Sequence, residues 1–304
     1  MLIGNNNYIY STEVRDNDVQ RASFNQLVRN TFGFDFTEWY RAGYWGEMYI
    51  PHVLLDGNQV VSNVSVNIMH FEVCGVQKNY IQLGTVMTDS RYCGRGLNRY
   101  IMENILEEYA GRADGIYLFA NDTVLDYYPK FGFVPAKEYE YFMVCGDMDN
   151  IEPYIIEKTD MSQNQQYRRF YSAIESYHYN TGFLNQNDGM YMDKNIGLYY
   201  FWMSAGFGDC VYYISESNVY IAASIEGEVL YIHQVFGKEH IEIKRLAKSF
   251  GGRVKEVVTG YTPACKEEFQ AREHKEEDCT LFIMGENLQR MEKEKMMFPV
   301  FSHA

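Results

Sequence analysis

The segment DSRYCGRGLNRYIM, residues 89–102, places two glycines and two arginines directly before an amphipathic pattern. Its core, Arg-x-x-Gly-x-Gly, runs from Arg91 to Gly96. The first amides of a helix have no acceptor within the helix and carry partial positive charge, so a glycine loop before them lets an anion approach closely. Arg91 or Arg95 could add charge-assisted contacts. The segment therefore predicts an anion site over residues 92–97, although glycines here could equally form a tight turn.

Such a site requires a strand that ends and a helix that begins at this loop. Residues 80–88 alternate with the period of a strand, and residues 97–109 carry apolar side chains at helical spacing. The loop is neither a Walker loop nor a full dinucleotide-binding fingerprint, because the lysine of the first and the third glycine of the second are missing. The anion site therefore rests on the order strand, glycine loop, helix.

The rest of the first half predicts alternating strands and helices. We expect a helix over residues 18–31, a hairpin turning at Asp56-Gly57 and a second hairpin leading to the glycine loop. After the loop helix, GIYLFA reads as a buried strand, and NDTVLDYY starts another helix that Asn121 or Asp122 could cap. The strand FVPAKEYEYFMVC closes this half.

The second half repeats this order after a weakly patterned stretch. We predict a linker over residues 149–163 and a helix over residues 164–177. The strands CVYYIS, NVYIAASI and EVLYIHQVF follow, then a helix over residues 243–250 and the strands VKEVVT and CTLFIMG. The predicted fold class is a mixed α/β sheet architecture with domains at residues 1–148 and 164–304.

Composition restricts the partners and the compartment. The chain has 304 residues and a net charge of -14, so it should repel nucleic acid and anionic membranes. The acidic surface either favours a cationic substrate or only maintains solubility. None of the six cysteines forms a C-x-x-C pair, and no metal site is expected. Without a signal peptide or an apolar run long enough to span a membrane, we predict a cytoplasmic protein.

Two motifs together resemble a known family. TVMTDSRYCGRGL resembles the pyrophosphate loop of the GNAT superfamily of acyl-CoA N-acyltransferases, whose pattern is Arg/Gln-x-x-Gly-x-Gly/Ala. About 25 residues later, NDTVLDYYPKFGF resembles the second GNAT signature, an Asn followed seven positions on by a Tyr and then by Gly-Phe. These positions are Asn121, Tyr128, Gly132 and Phe133. The order and distance of the motifs make the pair more specific than either alone.

The resemblance implies a donor, a channel and a proton donor. The donor would be acetyl-CoA, its pantetheine arm lying where the strand before the glycine loop splays from the next parallel strand. The resemblance places cofactor contacts at Val86 and Thr88 through backbone bonds to the arm, at Asn121 along the channel, and around the pyrophosphate at Arg91, Tyr92, Cys93, Gly94, Arg95, Gly96 and Leu97. Tyr128 would protonate the departing thiolate, with Tyr127 as the alternative because Pro129 could shift the Tyr128 hydroxyl.

The second half is similar to a degenerate GNAT repeat. GKEHIEIKRL replaces the glycine pattern after EVLYIHQVF, and GYTPACKEEF replaces the second signature. We therefore expect one donor site, in the first half. In tandem members of the superfamily, the repeat without cofactor builds part of the acceptor site.

The acceptor and the general base stay open at this point. His70, Glu72 and Gln82 lie on or near strands that could reach the site, or water could take the proton. The apolar segment MMFPVFSHA, residues 296–304, either covers a sheet edge or interdomain seam, or it enters the acceptor pocket with His303 or the terminal carboxylate as base. Four aromatic residues lie where the resemblance places acceptor-binding helices, and they either line a cleft for a ring or a cation or pack the core: Trp39, Tyr40, Tyr44, Trp45.

These predictions leave three alternative functions. The first is an acetyl-CoA-dependent N-acetyltransferase acting on a primary amine of a small molecule or peptide. The second is a GNAT-fold sensor that binds acyl-CoA without turnover. The third is an interaction protein in which the glycine loop is only a turn.

Overall fold

The computed structural model describes residues 2–4, 6–179, 189–193, 195–237 and 239–304. Seven helices lie in these residues: α1 (Asp18–Phe32), α2 (Thr37–Arg41), α3 (Leu97–Tyr109), α4 (Asn164–Tyr179), α5 (Ile196–Ala205), α6 (Ile243–Ser249) and α7 (Glu286–Lys293). The strands of the first half are β1 (Leu2–Ile3), β2 (Asn6–Asn7), β3 (Ile9–Ser11), β4 (Tyr49–Asp56), β5 (Gln59–Val73), β6 (Val76–Thr88), β7 (Gly115–Ala120), β8 (Val134–Pro135) and β9 (Glu138–Val144). Those of the second half are β10 (Ile156–Lys158), β11 (Met190–Asp193), β12 (Val211–Ile214), β13 (Val219–Glu226), β14 (Val229–Phe236), β15 (Glu256–Thr259), β16 (Gln270–His274) and β17 (Thr280–Met284).

The first sheet has the order β3-β4-β5-β6-β7-β17-β8, and β11 also pairs with β5. Its long central strands are connected by the two predicted hairpins, which turn after Asp56 and after Val73. Among the described strands of this sheet, only β6 and β7 run parallel, and the helix α3 connects them, as parallel neighbours require. This sheet therefore carries the strand, glycine loop and helix of the predicted anion site.

The second sheet has the order β10-β12-β13-β14-β15-β9-β16. It also contains one parallel pair, β14 with β15, connected through α6. The predicted mixed α/β fold class is confirmed, and the repeated element order appears as two sheets with the same arrangement around a central parallel pair.

The two halves of the chain exchange one strand each. The strand β9, from the first half, lies in the second sheet between β15 and β16. The strand β17, from the second half, lies in the first sheet between β7 and β8. FVPAKEYEYFMVC, predicted as a strand that closes the first half, forms the two strands β8 and β9, and only the two-residue β8 lies in the first sheet. Alternation along a strand predicts its faces but not its neighbours.

The loop helix and the first helix agree with the sequence. Asn17 caps α1 by accepting hydrogen bonds from Val19 N and Gln20 N through its side chain, and Gly33 ends the helix in the left-handed conformation. The helix expected from NDTVLDYY was wrong: Asp122–Val124 and Tyr128–Phe131 form two short 3-10 turns. Pro129 cannot donate an intrahelical bond, and left-handed Gly132 ends the second turn.

No helix within the described residues is both long and apolar enough to cross a bilayer.

Candidate active site

The site begins where β6 and β7 stop pairing. Their parallel ladder runs from Tyr80 opposite Gly115 to Leu83 opposite Leu118. Beyond this point β6 continues to Thr88 and β7 to Ala120, without pairing to each other. We call the space between residues 84–88 and 119–120 the first gap. Backbone groups of β6 that face it are available to a ligand, since β7 does not use them.

The glycine loop lies at the open end of the first gap. Gly94 and Gly96 both have left-handed φ values, 74° and 80°, and Gly96 is the N-cap of α3. A Cβ on either glycine would have no neighbour within 4 Å. The first helical bond runs from Tyr100 N to Gly96 O, so the amides of residues 97–99 precede the helical ladder. This cradle fits an anion such as a pyrophosphate.

The side chains of the loop hold its shape. Arg91 donates two hydrogen bonds to the Asp89 carboxylate, at 3.0 and 2.8 Å. Arg95 donates to the carbonyl oxygen of Arg91 at 2.8 Å, and its guanidinium lies 4.6 Å from the ring centre of Tyr92. The Cys93 thiol is exposed. Both arginines therefore lie at the predicted anion site, and both are already engaged within the loop.

The second signature segment follows β7. Asn121 caps the first 3-10 turn by accepting from Thr123 N at 3.2 Å. Tyr128 is 4% exposed, and its ring lies 5.6 Å from that of Phe282 on the exchanged strand β17. Burial raises the pKa of Tyr128 above its ordinary value. The hydroxyl therefore stays protonated at neutral pH, as a proton donor must.

Tyr127 is connected to the strands instead. Its hydroxyl donates to Asn98 Oδ1 at 2.9 Å, and Asn98 Nδ2 donates to the carbonyl oxygen of Asn63 at 3.1 Å. Burial raises the pKa of Tyr127 to about 12. Tyr127 thus fixes the beginning of α3 against β5, which is a positioning role.

A polar strip crosses the sheet beside the first gap, on the face opposite α3. Its members are the buried residues Tyr49, Asn63, Ser65, Asn67 and Gln82 and the half-buried Thr85. Ser65 and Asn67 alternate with Val64 and Val66, which pack in the same apolar cluster as α3. The strip separates two apolar clusters, one containing α1 and one containing second-half residues. Because buried polar groups are costly unless they are bonded, the strip needs a structural or functional reason.

Thr85 forms hydrogen bonds with three other members of the strip. Its φ of 44° is left-handed, which is rare for a β-branched residue. The hydroxyls of Ser65, Tyr49 and Thr85 form a closed ring of hydrogen bonds at 2.9, 2.7 and 2.7 Å. Asn63 Nδ2 donates to the Thr85 carbonyl at 2.7 Å. These bonds fix the strained backbone at the start of the first gap.

The strip also holds an acceptor without a partner. Among the described residues, buried Asn63 Oδ1 has no hydrogen-bond partner. Sequence reasoning missed Asn63, Ser65 and Asn67. The signal was present, because SNVSVN within a run of apolar strand residues places polar side chains at alternate positions.

The segment ending at Ala304 reaches this strip. Gln82 Nε2 lies 3.4 Å from the carbonyl oxygen of Ala304, and an ideal Cβ on Gly84 would lie 2.7 Å from the same oxygen. The His303 ring stacks on Phe119 with centroids 4.0 Å apart. The structure therefore places His303 and Ala304 at the closed end of the first gap. Their use as a base stays a prediction.

The other candidate bases lie apart from one another. Gln82 is in the strip, whereas His70 and Glu72 pair with Asn79 and Gln77 at the hairpin end of β5 and β6, away from the gap. Among the aromatic candidates, Trp39 and Trp45 are buried core residues. Tyr44 stacks on Tyr200 of α5 with centroids 3.7 Å apart, and Arg21 lies over Tyr40 at 3.7 Å. The packing interpretation holds for the two tryptophans.

Comparisons with known proteins agree with this geometry. Residues 13–136 match the family model of the acetyltransferase (GNAT) domain. A search of curated proteins finds no match.

Solved structures share the fold over most of the chain. One is a probable N-acyltransferase from Enterococcus faecalis V583, with TM-score 0.56 and 15% identity, covering 94% of this chain and 74% of its own. A GCN5-related N-acetyltransferase from Kribbella flavida has TM-score 0.55 and 12% identity, covering 91% and 70%. Eis1 from Mycobacterium abscessus has TM-score 0.55 and 10% identity, covering 90% and 72%. At these identities the likeness concerns the fold.

Proposed function

We propose that this protein, whose residues 13–136 match the model of the GNAT acetyltransferase domain, transfers an acetyl group from acetyl-CoA to a primary amine of a small molecule or peptide. The observation that carries the proposal is the first gap with the glycine cradle at its open end. A donor with a charged end and a long polar arm fits such a site, because helix amides bind the anion and unpaired strand groups bind the arm.

The proposed contacts with the donor run along the first gap, from its open end to its closed end. The amides of residues 92–97 bind the pyrophosphate, with Arg91 and Arg95 adding positive charge. The backbones of Val86 and Thr88 bind the pantetheine arm, and Asn121 lines the opposite wall. The open space beside Gly94 and Gly96 supports this assignment.

The transfer itself needs an oxyanion donor and two proton movements. The amine nitrogen attacks the thioester carbonyl, and the amide of Val86 or Met87 stabilises the negative charge on the carbonyl oxygen. The nitrogen gives its extra proton to water or to a base, and the carbon–sulfur bond breaks with its electron pair leaving on the sulfur. Tyr128 gives its proton to the departing sulfur. Tyr128 is protonated at neutral pH even at its ordinary pKa near 10, and burial raises that pKa further, so the proton leaves only as negative charge builds up on the sulfur. Orientation of the two reactants in the gap supplies much of the remaining acceleration.

The acceptor enters from the polar strip. We assign the donor-binding domain to residues 1–148, the linker to residues 149–163 and the acceptor-side domain to residues 164–304. The strip offers neutral hydrogen-bond acceptors such as Asn63 Oδ1 to an amine. The net charge of -14 favours a cationic acceptor. None of the six cysteines, all of which lie in the described residues, is in a disulfide bond, which suits a cytoplasmic enzyme.

An activity assay tests this proposal. Acetyl-CoA is incubated with the protein and a panel of polyamines, aminoglycosides and short peptides, and the released thiol and the acetylated amine are both measured. We expect amine-dependent thiol release that Tyr128→Phe lowers. If acetyl-CoA binds but no amine is acetylated, the sensor alternative replaces the enzyme.

A further inference from the structure

We propose that His303 and Ala304 determine which acyl groups the donor can carry, by closing the end of the first gap so that only short chains fit. This inference rests on the proposed function, since it concerns the acyl end of the same donor. It assigns a specificity role to residues that lie far outside the donor-binding segment in the sequence.

The position of the two residues carries the inference. The last paired residues of β6 and β7 are Leu83 and Leu118, so Gly84 and Phe119 are the first residues of the gap. The carbonyl of Ala304 lies against Gly84, and the His303 ring covers Phe119 at 4.0 Å. Each wall of the gap is therefore covered at its closed end by one residue of the same segment.

The segment is held firmly enough to act as a wall. Phe298 and Phe301 are fully buried, so the chain leading to His303 belongs to the core. Trp202 Nε1 donates to the carbonyl oxygen of His303 at 2.8 Å. Val300 N donates to the carbonyl oxygen of Gly260 at 2.8 Å. Displacing His303 would break these contacts, so an incoming acyl chain meets a fixed surface.

The geometry of the channel brings the acyl group to this wall. The donor is anchored by its pyrophosphate at the glycine loop, just beyond Thr88. A strand rises about 3.3 Å per residue, so the gap extends about 13 Å from Thr88 to Gly84. The arm runs inward along this length, and its acyl group therefore points at His303 and Ala304. Each methylene beyond acetyl must displace packed atoms, which costs binding energy.

The side chain of His303 suits a neutral wall. Burial lowers its pKa to about 4, so the ring is uncharged at neutral pH. A neutral ring stacked on Phe119 fills the space beside it without introducing a charge. Removing the imidazole leaves a space beside Phe119 that additional methylenes can fill.

The test is a calorimetric titration with acetyl-CoA, butyryl-CoA and hexanoyl-CoA. The native protein is compared with His303→Ala, and with Phe119→Ala, which enlarges the same end without altering the segment. His240→Ala is the matched control, because His240 is exposed and makes the same change in composition. We expect the native protein to bind hexanoyl-CoA at least about tenfold more weakly than acetyl-CoA. Both enlarging variants should reduce this ratio by about tenfold, whereas His240→Ala should keep it.

Two results would overturn the inference. One is native affinity that does not fall with chain length. The other is a native ratio retained in both His303→Ala and Phe119→Ala while acetyl-CoA still binds, and this would leave the proposed function intact. Failure of the native protein to bind any of the three thioesters would instead overturn the proposed function, and this inference with it.

Discussion

Each sheet contains a parallel strand pair, but within the described residues the strands of the first pair separate, whereas a further segment bonds across the end of the second pair. In the first sheet, β6 and β7 separate after four paired residues and remain apart as far as Thr88. In the second sheet, β14 and β15 pair over four residues from Val229 opposite Glu256. The space beyond Ile232 and Thr259, the second gap, is filled. Gly260 N donates to Ile232 O, and Val300 N donates to Gly260 O, both at 2.8 Å.

The loops that follow β6 and β14 also differ in packing: the first has open space beside its glycines, and the second is closely packed. Gly94 and Gly96 leave the start of the 13-residue helix α3 open. After β14, a Cβ on Gly237 would lie 2.3 Å from Val219, and α6 has only seven residues. The predicted absence of a glycine loop at GKEHIEIKRL, of which residue 238 lies outside the described residues, agrees with this closed geometry. The same strand arrangement therefore leaves a gap in the first sheet, whereas in the second sheet the segment at Val300 fills it.

The largest expected effect on stability comes from removing β17, the strand that the second half contributes to the first sheet. A fragment of residues 1–148 lacks β17, whose Phe282 is buried against Tyr128. We expect this fragment to be insoluble or unfolded by circular dichroism. In the whole protein, Phe282→Ala should lower the free energy of unfolding by about 3–5 kcal/mol, measured by urea denaturation.

The control for this effect is on the other exchanged strand. Val144 on β9 is 58% exposed, so Val144→Ala should change the free energy of unfolding by less than about 0.5 kcal/mol. A fragment of residues 1–148 that folds cooperatively would show that the exchanged strand is dispensable.

The next effect concerns the two tyrosines beside the first gap. With an amine acceptor in hand, Tyr128→Phe should lower kcat by about 10²–10⁴-fold, while acetyl-CoA affinity stays near the native value. Tyr127→Phe should act mainly through the position of α3 and lower kcat less. A larger loss in Tyr127→Phe than in Tyr128→Phe would exchange their roles.

A third comparison places one methyl group in each gap. In Gly260→Ala the new Cβ would lie 3.0 Å from Val300 and 3.2 Å from the backbone of His233, so we expect a loss of about 1–3 kcal/mol of stability by urea denaturation. In Gly84→Ala the new Cβ would lie 2.7 Å from the backbone carbonyl oxygen of Ala304, which the contacts of His303 hold in place, so stability should fall at least as much. Acetyl-CoA binding should weaken in Gly84→Ala but not in Gly260→Ala, because only the first gap holds the donor. Equal acetyl-CoA affinity in the two variants would contradict this assignment.

The smallest effect is a dependence of stability on pH. Burial lowers the pKa of His303 in the first gap and of His233 in the second gap to about 4. Unfolded histidine binds its proton near pH 6.5, so the unfolded state gains protons first and stability falls as the pH drops from about 6.5 to 4. Buried Glu138, with its pKa raised to about 7, acts in the opposite direction.

Comparing histidine variants with the native protein separates the contribution of the histidines to the pH dependence from that of Glu138. His233→Gln and His303→Gln should each reduce the loss of Tm between pH 7 and pH 5 relative to the native protein. An unchanged pH dependence in both variants would mean that neither ring is held in its neutral form.

The sequence predicted those parts of the site that local patterns determine. The left-handed glycines, the helix after them and the strand before them follow from residue type and spacing between Tyr80 and Tyr109. Asn63 and Ser65 were missed although their alternation was visible, because polar residues on a strand usually face solvent. Their burial depends on α1 and on the second half.

Long-range placement could not be read from the sequence. Alternation identified FVPAKEYEYFMVC and CTLFIMG as strands, but the exchange of β9 and β17 depends on pairing between segments more than 100 residues apart. The position of His303 against Phe119 depends on the same exchange. The helix predicted after Asn121 failed at Pro129, which cannot donate an intrahelical hydrogen bond, and the structure has 3-10 turns there.

Titration with acetyl-CoA tests the central claim, that the first gap is the one donor site. The native protein is compared with Gly96→Glu, which puts a negative side chain into the cradle, and with Gly96→Ala, which shares the left-handed backbone strain. Gly252→Glu is the charge control, at an exposed glycine with open space around it. We predict one bound donor per chain, lost in Gly96→Glu and retained in Gly252→Glu and in Gly96→Ala. No binding by folded native protein, or native binding by Gly96→Glu, would contradict the account.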